Sequence, residues 1–284
     1  MRVAVIGTGS IGKRHLANLA SLRHEVAPAD IGDPLPFDVQ AAIICTPTEL
    51  HIPLAQKYAD HGIPTLIEKP LSHSTEGLDH LLATAHPSTM VACNLRFHQA
   101  AQEAVHFAHR GRVLWARAEF GFWLPFWRGR EDYRKSYSAG DAGGIVLDAI
   151  HEPDLLMCMF GTPLEISMVT HRSGRLEISQ EDSAEISMRF NDGVTASVHI
   201  DYLSKSYHRQ VTIATDRSTA TFQLPAGNEM YVNELRHFLT AVEGGRTPMN
   251  SLKEAIGLLT RILDAKAKSR CDHTSARDVH PLPA

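Results

Sequence analysis

Val3-Ala4-Val5-Ile6-Gly7-Thr8-Gly9-Ser10-Ile11-Gly12 runs a short β-branched apolar stretch straight into Gly-x-Gly-x-x-Gly, and Lys13-Arg14-His15-Leu16-Ala17-Asn18-Leu19 follows with helical spacing. Strand, glycine turn and helix in that order are the context a dinucleotide-binding fingerprint requires. Gly7 permits the tight turn, Gly9 lets the backbone approach a pyrophosphate, and Gly12 lets helix and strand pack closely. Thr8, Ser10 and Ile11 stand between the glycines and complete the candidate cofactor cradle. Unpaired N–H groups at the helix start, with the helix dipole behind them, favour the diphosphate. A glycine turn without a ligand is the plain alternative, and the flanking strand and helix argue against it.

The 284 residues suit two domains, and 43% hydrophobic content is enough for ordinary packed cores. The formal charge is −4 with no block of like charges, so neither nucleic acid nor a membrane surface is an expected partner. The N-terminal apolar run is too short for a signal peptide, and no stretch approaches the roughly 20 apolar residues of a spanning helix. Cys45, Cys93, Cys158 and Cys271 have no paired spacing, which fits reduced thiols in a cytoplasmic protein. The 17 histidines are scattered without metal-ligand spacing, so no metal is expected.

Glu25-Val26-Ala27-Pro28-Ala29 reads as a second strand ending at Asp30, near the spacing at which an acidic side chain binds an adenosine ribose. No arginine follows, and a carboxylate there repels a 2′-phosphate, so NAD is expected over NADP. Too few residues precede the next strand for a crossover helix, leaving the adenine pocket open and predicting modest cofactor affinity. Gln40–Cys45 and Thr65–Ile67 are further strands, His51–Tyr58 and Ser74–Ala85 helices, and Met90–Asn94 a last strand. From about residue 98 the pattern changes. A helix (99–109) leads to a strand (112–121), an aromatic-rich irregular stretch, and one apolar helix spanning 142–160. Runs at 164–170, 184–190, 194–202, 209–214 and 219–223 with short gaps imply antiparallel hairpins, and helices at 229–243 and 252–268 close the chain. The expected architecture is an α/β Rossmann domain over 1–97, shortened after its second strand, and an α+β domain over 98–284 with a large, mainly antiparallel open-faced sheet.

These residues resemble the Gfo/Idh/MocA oxidoreductases, which include glucose–fructose oxidoreductase and inositol dehydrogenases. The resemblance rests on Gly7–Gly12, Thr46-Pro47-Thr48 with His51, Glu68-Lys69-Pro70, Asn94-Leu95-Arg96-Phe97, Gly143 through Asp154, and Asn233-Glu234-Leu235-Arg236-His237-Phe238. It implies hydride transfer between a nicotinamide cofactor and a sugar or cyclitol carbon. It also implies a homodimer or homotetramer packed through the C-terminal sheet. By the same resemblance Thr46, Pro47, His51, Glu68 and Lys69 join the cofactor site, and Asn94 and Arg96 the substrate site.

Chemistry supports two of these positions. A lysine at a sheet's carboxyl edge can hydrogen-bond the reacting oxygen, and desolvation brings its pKa toward the operating range. The alternative for Lys69 is a surface pair with Glu68. Histidine's unperturbed pKa lies near neutrality, and His151 is the second acid/base candidate. Asp148 and Asp154 stand three residues to either side, on one face of a continuous helix, and Pro153 predicts a kink there. Asp148 could orient the imidazole or bind a substrate hydroxyl, although the family's usual aspartate position is occupied here by Leu147. The stretch from Trp123 through Trp127 and Tyr133 to Tyr137 resembles a loop of family members linked to surface-sugar biosynthesis. Its aromatic faces suit sugar rings and its arginines suit phosphate or carboxylate, so a phosphorylated, acidic or nucleotide-linked sugar is expected, the alternative being an oligomer contact or a packed loop. The expected catalytic set is Lys69, His151 and Asp148, and the expected substrate set is Asn94, Arg96, Trp127, Tyr133, Asp148 and His151. Two rival readings use the same scaffold: a non-catalytic nucleotide sensor, and a glycoside hydrolase or lyase with tightly bound NAD.

Overall fold

The computed structural model describes residues 1–127, 129 and 132–273. The chain begins β1 (Arg2–Ile6), α1 (Ser10–Ser21), β2 (Glu25–Ala29), β3 (Ala41–Ile44), α2 (His51–Ala59), β4 (Thr65–Ile67), α3 (Leu78–Thr84) and β5 (Met90–Val91). It continues α4 (Gln99–Ala108), β6 (Val113–Gly121), α5 (Leu124–Trp127), α6 (Ile145–Asp148) and α7 (His151–Phe160). The strands β7 (Glu165–Arg172), β8 (Ser183–Arg189), β9 (Thr195–Asp201), β10 (His208–Thr215) and β11 (Thr219–Gln223) follow. The chain closes with α8 (Glu229–Gly244), α9 (Leu252–Lys268) and β12 (Arg270–His273).

The first sheet is parallel, in the order β2-β1-β3-β4-β5. β1, β3 and β4 are buried almost throughout, as parallel strands covered on both faces must be. After β1 the chain steps to one side for β2 and then to the other for β3. The carboxyl ends of β1 and β3 therefore form the switch point where open α/β sheets bind ligands. Pro28 sits in β2, an edge strand, where its missing N–H costs little. No helix lies between β2 and β3, as the spacing predicts. Two elements are shorter than expected. The helix foreseen from Ser74 starts only at Leu78, after Gly77 in a left-handed conformation (φ 75°). The strand foreseen to Asn94 ends at Val91, and Asn94–Phe97 forms a 3-10 turn.

The chain divides into two compact units, Met1–Gln99 with Gly227–Thr260, and Ala100–Ala226 with Arg261 onward. This corrects the expected boundary, which gave everything after residue 97 to the second domain. The reason is apolar packing. Leu235, Phe238 and Leu239 of α8 share one core with Val3, Val5, Leu19, Ala41, Ile43 and Leu66, so α8 completes the first unit.

The second unit holds a seven-stranded sheet in the order β11-β10-β6-β9-β8-β7-β12. Its pairings are antiparallel except β6 with β9 and β12 with β7. The edge strand β12 was not foreseen. α6 and α7 pack on one face of this sheet, over Ala116, Ala118, Phe120, Val198 and Ile200, while alternate residues such as Trp115, Thr195 and Glu185 point to the other face.

The single helix expected over 142–160 is two helices, α6 and α7, separated at Ala149 (φ −102°, ψ 34°). Pro153 explains the break. In an unbroken helix its ring would strike the Ala149 carbonyl and leave that oxygen without a donor. Restarting at His151 places Pro153 in the first turn, where the missing N–H is harmless and no kink follows. No helix among the described residues is long and apolar enough to cross a membrane.

Candidate active site

The glycine turn closes onto β3. Gly7 has φ +93°, and a Cβ there would stand 2.7 Å from the Cys45 carbonyl oxygen. A Cβ on Gly12 would drive into the Gly7 carbonyl. Gly9 differs: a Cβ there meets nothing within 4 Å. Gly9 caps α1 without any side-chain hydrogen bond, so the helix's first amides lack a side-chain acceptor. Ser10 is exposed beside it, and Ile11 turns inward against the core cluster. Across the switch point the Thr46 hydroxyl is buried without a hydrogen-bond partner. Open space over Gly9, uncapped amides and an orphaned hydroxyl fit a dinucleotide diphosphate and ribose.

Asp30 lies exposed at the end of β2. It accepts a short hydrogen bond from the Thr8 hydroxyl, and its other oxygen accepts from the Ile31 amide at 2.9 Å. The Thr8 hydroxyl, then the Ile31 amide, holds this carboxyl below its usual range. The glycine turn and the ribose candidate are thus joined by a side-chain bond.

Lys69 follows β4 on the same carboxyl edge and is half-buried. Two buried histidines brace its surroundings. His51 is 1% exposed, and its ring nitrogens lie 2.9 Å from the Thr46 and Pro70 carbonyl oxygens. Burial, only partly opposed by those two carbonyls, pushes its pKa down. A neutral ring donates to one carbonyl at a time. His51 therefore braces two loops of the site; Pro47 beside them is exposed. His15, on α1, is completely buried, with Nε2 2.9 Å from Oε1 of buried Glu68. The sequence reading passed over His15. Its signal was helical spacing, since Gly12, His15, Asn18 and Leu19 form the buried stripe of α1, and a histidine there requires a partner. Asn94 and Arg96 are both buried in the 3-10 turn after β5, with Arg96 Nη1 3.6 Å from Glu254.

In the second unit Asp148 closes α6 and His151 opens α7, so Asp148 leaves the expected shared face, which His151 and Asp154 keep within α7; all three side chains are buried. Asp148 Oδ2 accepts hydrogen bonds from the Ser138 hydroxyl and, at 2.9 Å, from the hydroxyl of fully buried Tyr202. Tyr202 and Ser138 are further residues the sequence did not single out. Beside His151, Glu152 pairs in the interior with Arg209, Oε1 to Nε at 2.7 Å. Trp127 is half-buried against Phe120 and Tyr202, with ring centroids at 5.3 and 5.9 Å. The Tyr133 hydroxyl accepts from the Glu177 amide at 3.1 Å, which fixes the loop. Of the arginines expected to meet an anion, Arg134 is held by both oxygens of Asp132, at 2.8 and 3.0 Å. Arg128 and Arg130 lie outside the described residues.

Comparison with known proteins bears on the family and the fold. A family model described as "Oxidoreductase family, NAD-binding Rossmann fold" matches residues 31–94, and the "GFO/IDH/MocA C-terminal domain" matches residues 98–221. The chain is 28% identical to a 1,5-anhydro-D-fructose reductase of Ensifer adhaerens over 62% of its own length and 53% of that protein, about half the relative. It is 24% identical to a D-xylose 1-dehydrogenase (NADP(+)) of Haloferax volcanii, over 93% of this chain and 96% of that one. The crystal structure of a myo-inositol dehydrogenase from Corynebacterium glutamicum superposes with a TM-score of 0.81 at 17% identity, covering 95% of this chain and 96% of that one, a likeness of fold. With both of its domains matched in order, the chain belongs to the GFO/IDH/MocA oxidoreductase family and carries that family's NAD(P)-binding Rossmann domain.

Proposed function

We propose that this chain is a cytoplasmic oxidoreductase acting on a carbinol or carbonyl carbon of a sugar, sugar derivative or cyclitol, with NAD preferred to NADP. The observation that carries the reading is the open, uncapped cradle at Gly9 on the same carboxyl edge as Lys69. The names of the two relatives, a reductase and a dehydrogenase of sugars, support the substrate class.

Gly7, Gly9, Gly12 and the α1 amides hold the diphosphate, and Asp30 and Thr46 the riboses. The cofactor, when bound, supplies a hydride acceptor or donor at nicotinamide C4. Lys69 donates a hydrogen bond to the reacting oxygen and stabilises its developing charge. His151 exchanges the hydroxyl proton, and Asp148, fixed by Ser138 and Tyr202, orients a substrate hydroxyl or that imidazole. Asn94, Arg96, Trp127 and Tyr133 complete the proposed substrate set. The open face of the seven-stranded sheet, with Trp115 and Val169 exposed, supports self-association as a dimer or tetramer.

NADH fluorescence titration, followed by a panel of sugars and cyclitols monitored at the nicotinamide absorbance, tests the reading. Wild type binds NADH and turns over a panel member, while Lys69→Ala keeps NADH binding and loses about a hundredfold or more in kcat. No binding of either nicotinamide cofactor sinks the proposal. NADH binding without turnover of any sugar favours the sensor reading, and cofactor retained through purification favours the hydrolase or lyase.

A further inference from the structure

The face of the seven-stranded sheet that α6 and α7 cover is apolar. β6 turns Ala118 and Phe120 toward the helices, β9 turns Val198 and Ile200, and β10 turns Val211 and Ile213, all buried. Alternation along β10 puts Arg209 on the same face, the one charged side chain that these three strands place there. A carboxylate meets it. Glu152, in the first turn of α7, has Oε1 2.7 Å from Arg209 Nε, and Arg209 Nη2 donates to Oε2 at 3.5 Å. The guanidinium carbon lies 4.2 Å from the centroid of the Phe120 ring, and Phe120 is the register partner of Arg209 on β6.

The pair is nearly dry, with the Glu152 side chain 2% and the Arg209 side chain 11% exposed. Taking two charges out of water cancels most of their attraction, so apolar side chains of similar volume would pack this face about as stably. What the pair adds is direction. A guanidinium edge laid against a carboxylate has a preferred geometry, whereas apolar burial is non-directional.

The element so directed is the start of α7. The break at Ala149 leaves its first turn with no continuous helix before it. Asp148, ahead of the break, is held by Ser138 and by Tyr202, which directly follows β9. Glu152, behind the break, is held by Arg209 near the start of β10. His151 stands between these two anchors and is the chain neighbour of the second.

We propose that Glu152 and Arg209 are positioning residues for His151: the pair pins the first turn of α7 to β10 and so sets where the imidazole stands. The inference rests on the oxidoreductase reading, in which His151 exchanges the hydroxyl proton. Three variants test it, each assayed at a temperature where circular dichroism shows it folded. Glu152→Gln keeps an acceptor for Arg209, Arg209→Met strands the carboxylate, and Glu152→Leu combined with Arg209→Met makes the contact apolar. The double variant is expected to unfold within a few degrees of wild type. It nevertheless loses about tenfold or more in kcat, with the KM of the sugar changed by less than about threefold, because a misplaced acid/base acts on the chemical step. Glu152→Gln retains kcat within about threefold, and Arg209→Met loses both stability and kcat. Amide hydrogen exchange gives a readout independent of turnover. The Asp154 amide, which donates to the Ile150 carbonyl at 3.1 Å, exchanges at least about tenfold faster in the double variant, while the amides of β9 and β10 keep their wild-type rates. Wild-type kcat or unchanged Asp154 exchange in the double variant overturns the proposal and leaves the pair as packing. A loss in Glu152→Gln as large as in the double variant also overturns it, since charge rather than placement would then decide the rate. Wild-type turnover is read first. Its absence overturns the oxidoreductase reading, and the exchange rates then decide by themselves whether the pair holds the turn.

Discussion

His15 Nε2 lies 2.9 Å from Glu68 Oε1 with both side chains buried, so α1, the helix proposed to receive the cofactor diphosphate, is tied to the residue preceding Lys69. Removing one partner strands the other in a dry interior. His15→Ala is expected to destabilise the protein by about 3 kcal/mol, and Glu68→Gln by less, because the amide still hydrogen-bonds the imidazole. Urea unfolding monitored by circular dichroism measures both. An unchanged midpoint for His15→Ala would show that the pair carries no stability.

Gly9 and Gly12 separate binding from folding. The Gly9 backbone (φ −66°) is open to any residue, and its Cβ meets no atom within 4 Å. Gly9→Ala is expected to leave stability within about 0.5 kcal/mol of wild type and to weaken NADH at least about tenfold, because the methyl takes the space of the diphosphate. In Gly12→Ala the new methyl strikes the Gly7 carbonyl, so both stability and binding fall. Thermal unfolding beside NADH titration distinguishes them, and equal loss of stability in both variants contradicts the geometry.

His199 gives the second sheet a pH dependence. Its ring lies 3.1 Å from Asp201 and 2.7 Å from Glu185, and Arg117 reaches Glu185 at 3.6 Å. The bond to Asp201, then that to Glu185, outweighs burial and raises the His199 pKa. Asp201 moves the opposite way, since hydrogen bonds from His199 and Ser204 outweigh the upward push of burial. A histidine whose folded pKa exceeds its unfolded value, about 6.5, stabilises fully below that value, and the contribution disappears as pH rises through the folded pKa. Proton NMR of the His199 ring is expected to titrate above 6.5, with unfolding free energy declining across the same interval. His199→Gln removes that decline. A midpoint below 6.5 contradicts the pairing.

How much of this was legible in the sequence follows from the range of each interaction. The glycine turn, the missing helix after β2 and the boundaries of α9 are local, and the chain displays them in spacing and turn chemistry. The return of α8 to the first unit is not local: an amphipathic helix shows that it has an apolar face, not which core that face enters. The split at Ala149 was legible in principle, since Pro153 stands four residues downstream of a carbonyl it cannot serve. Arg209 looked like any strand arginine, because its place depends on β10 flanking β6, a pairing order that spacing does not encode. His15 sat in plain view beside the fingerprint. Its meaning came only with Glu68, on β4's far end.

Asp30 is the residue proposed to set cofactor choice. Held below its usual pKa first by the Thr8 hydroxyl and then by the Ile31 amide, it remains ionised throughout the neutral range. A fixed negative charge at the adenosine ribose repels a 2′-phosphate, and the discrimination is lost only as pH falls through that lowered pKa. NADH is therefore expected to bind at least about tenfold more tightly than NADPH at neutral pH, with the ratio collapsing in Asp30→Asn. Absolute affinity is a separate matter. No helix lies between β2 and β3, so less protein would cover a bound adenine, and the NADH dissociation constant is expected at about 1 μM or weaker. Fluorescence titration of both cofactors on wild type and Asp30→Asn reads both quantities. A preference that survives Asp30→Asn removes the carboxylate from cofactor choice, and sub-micromolar NADH binding shows that the exposed Ile31 or the loop behind it covers the adenine after all.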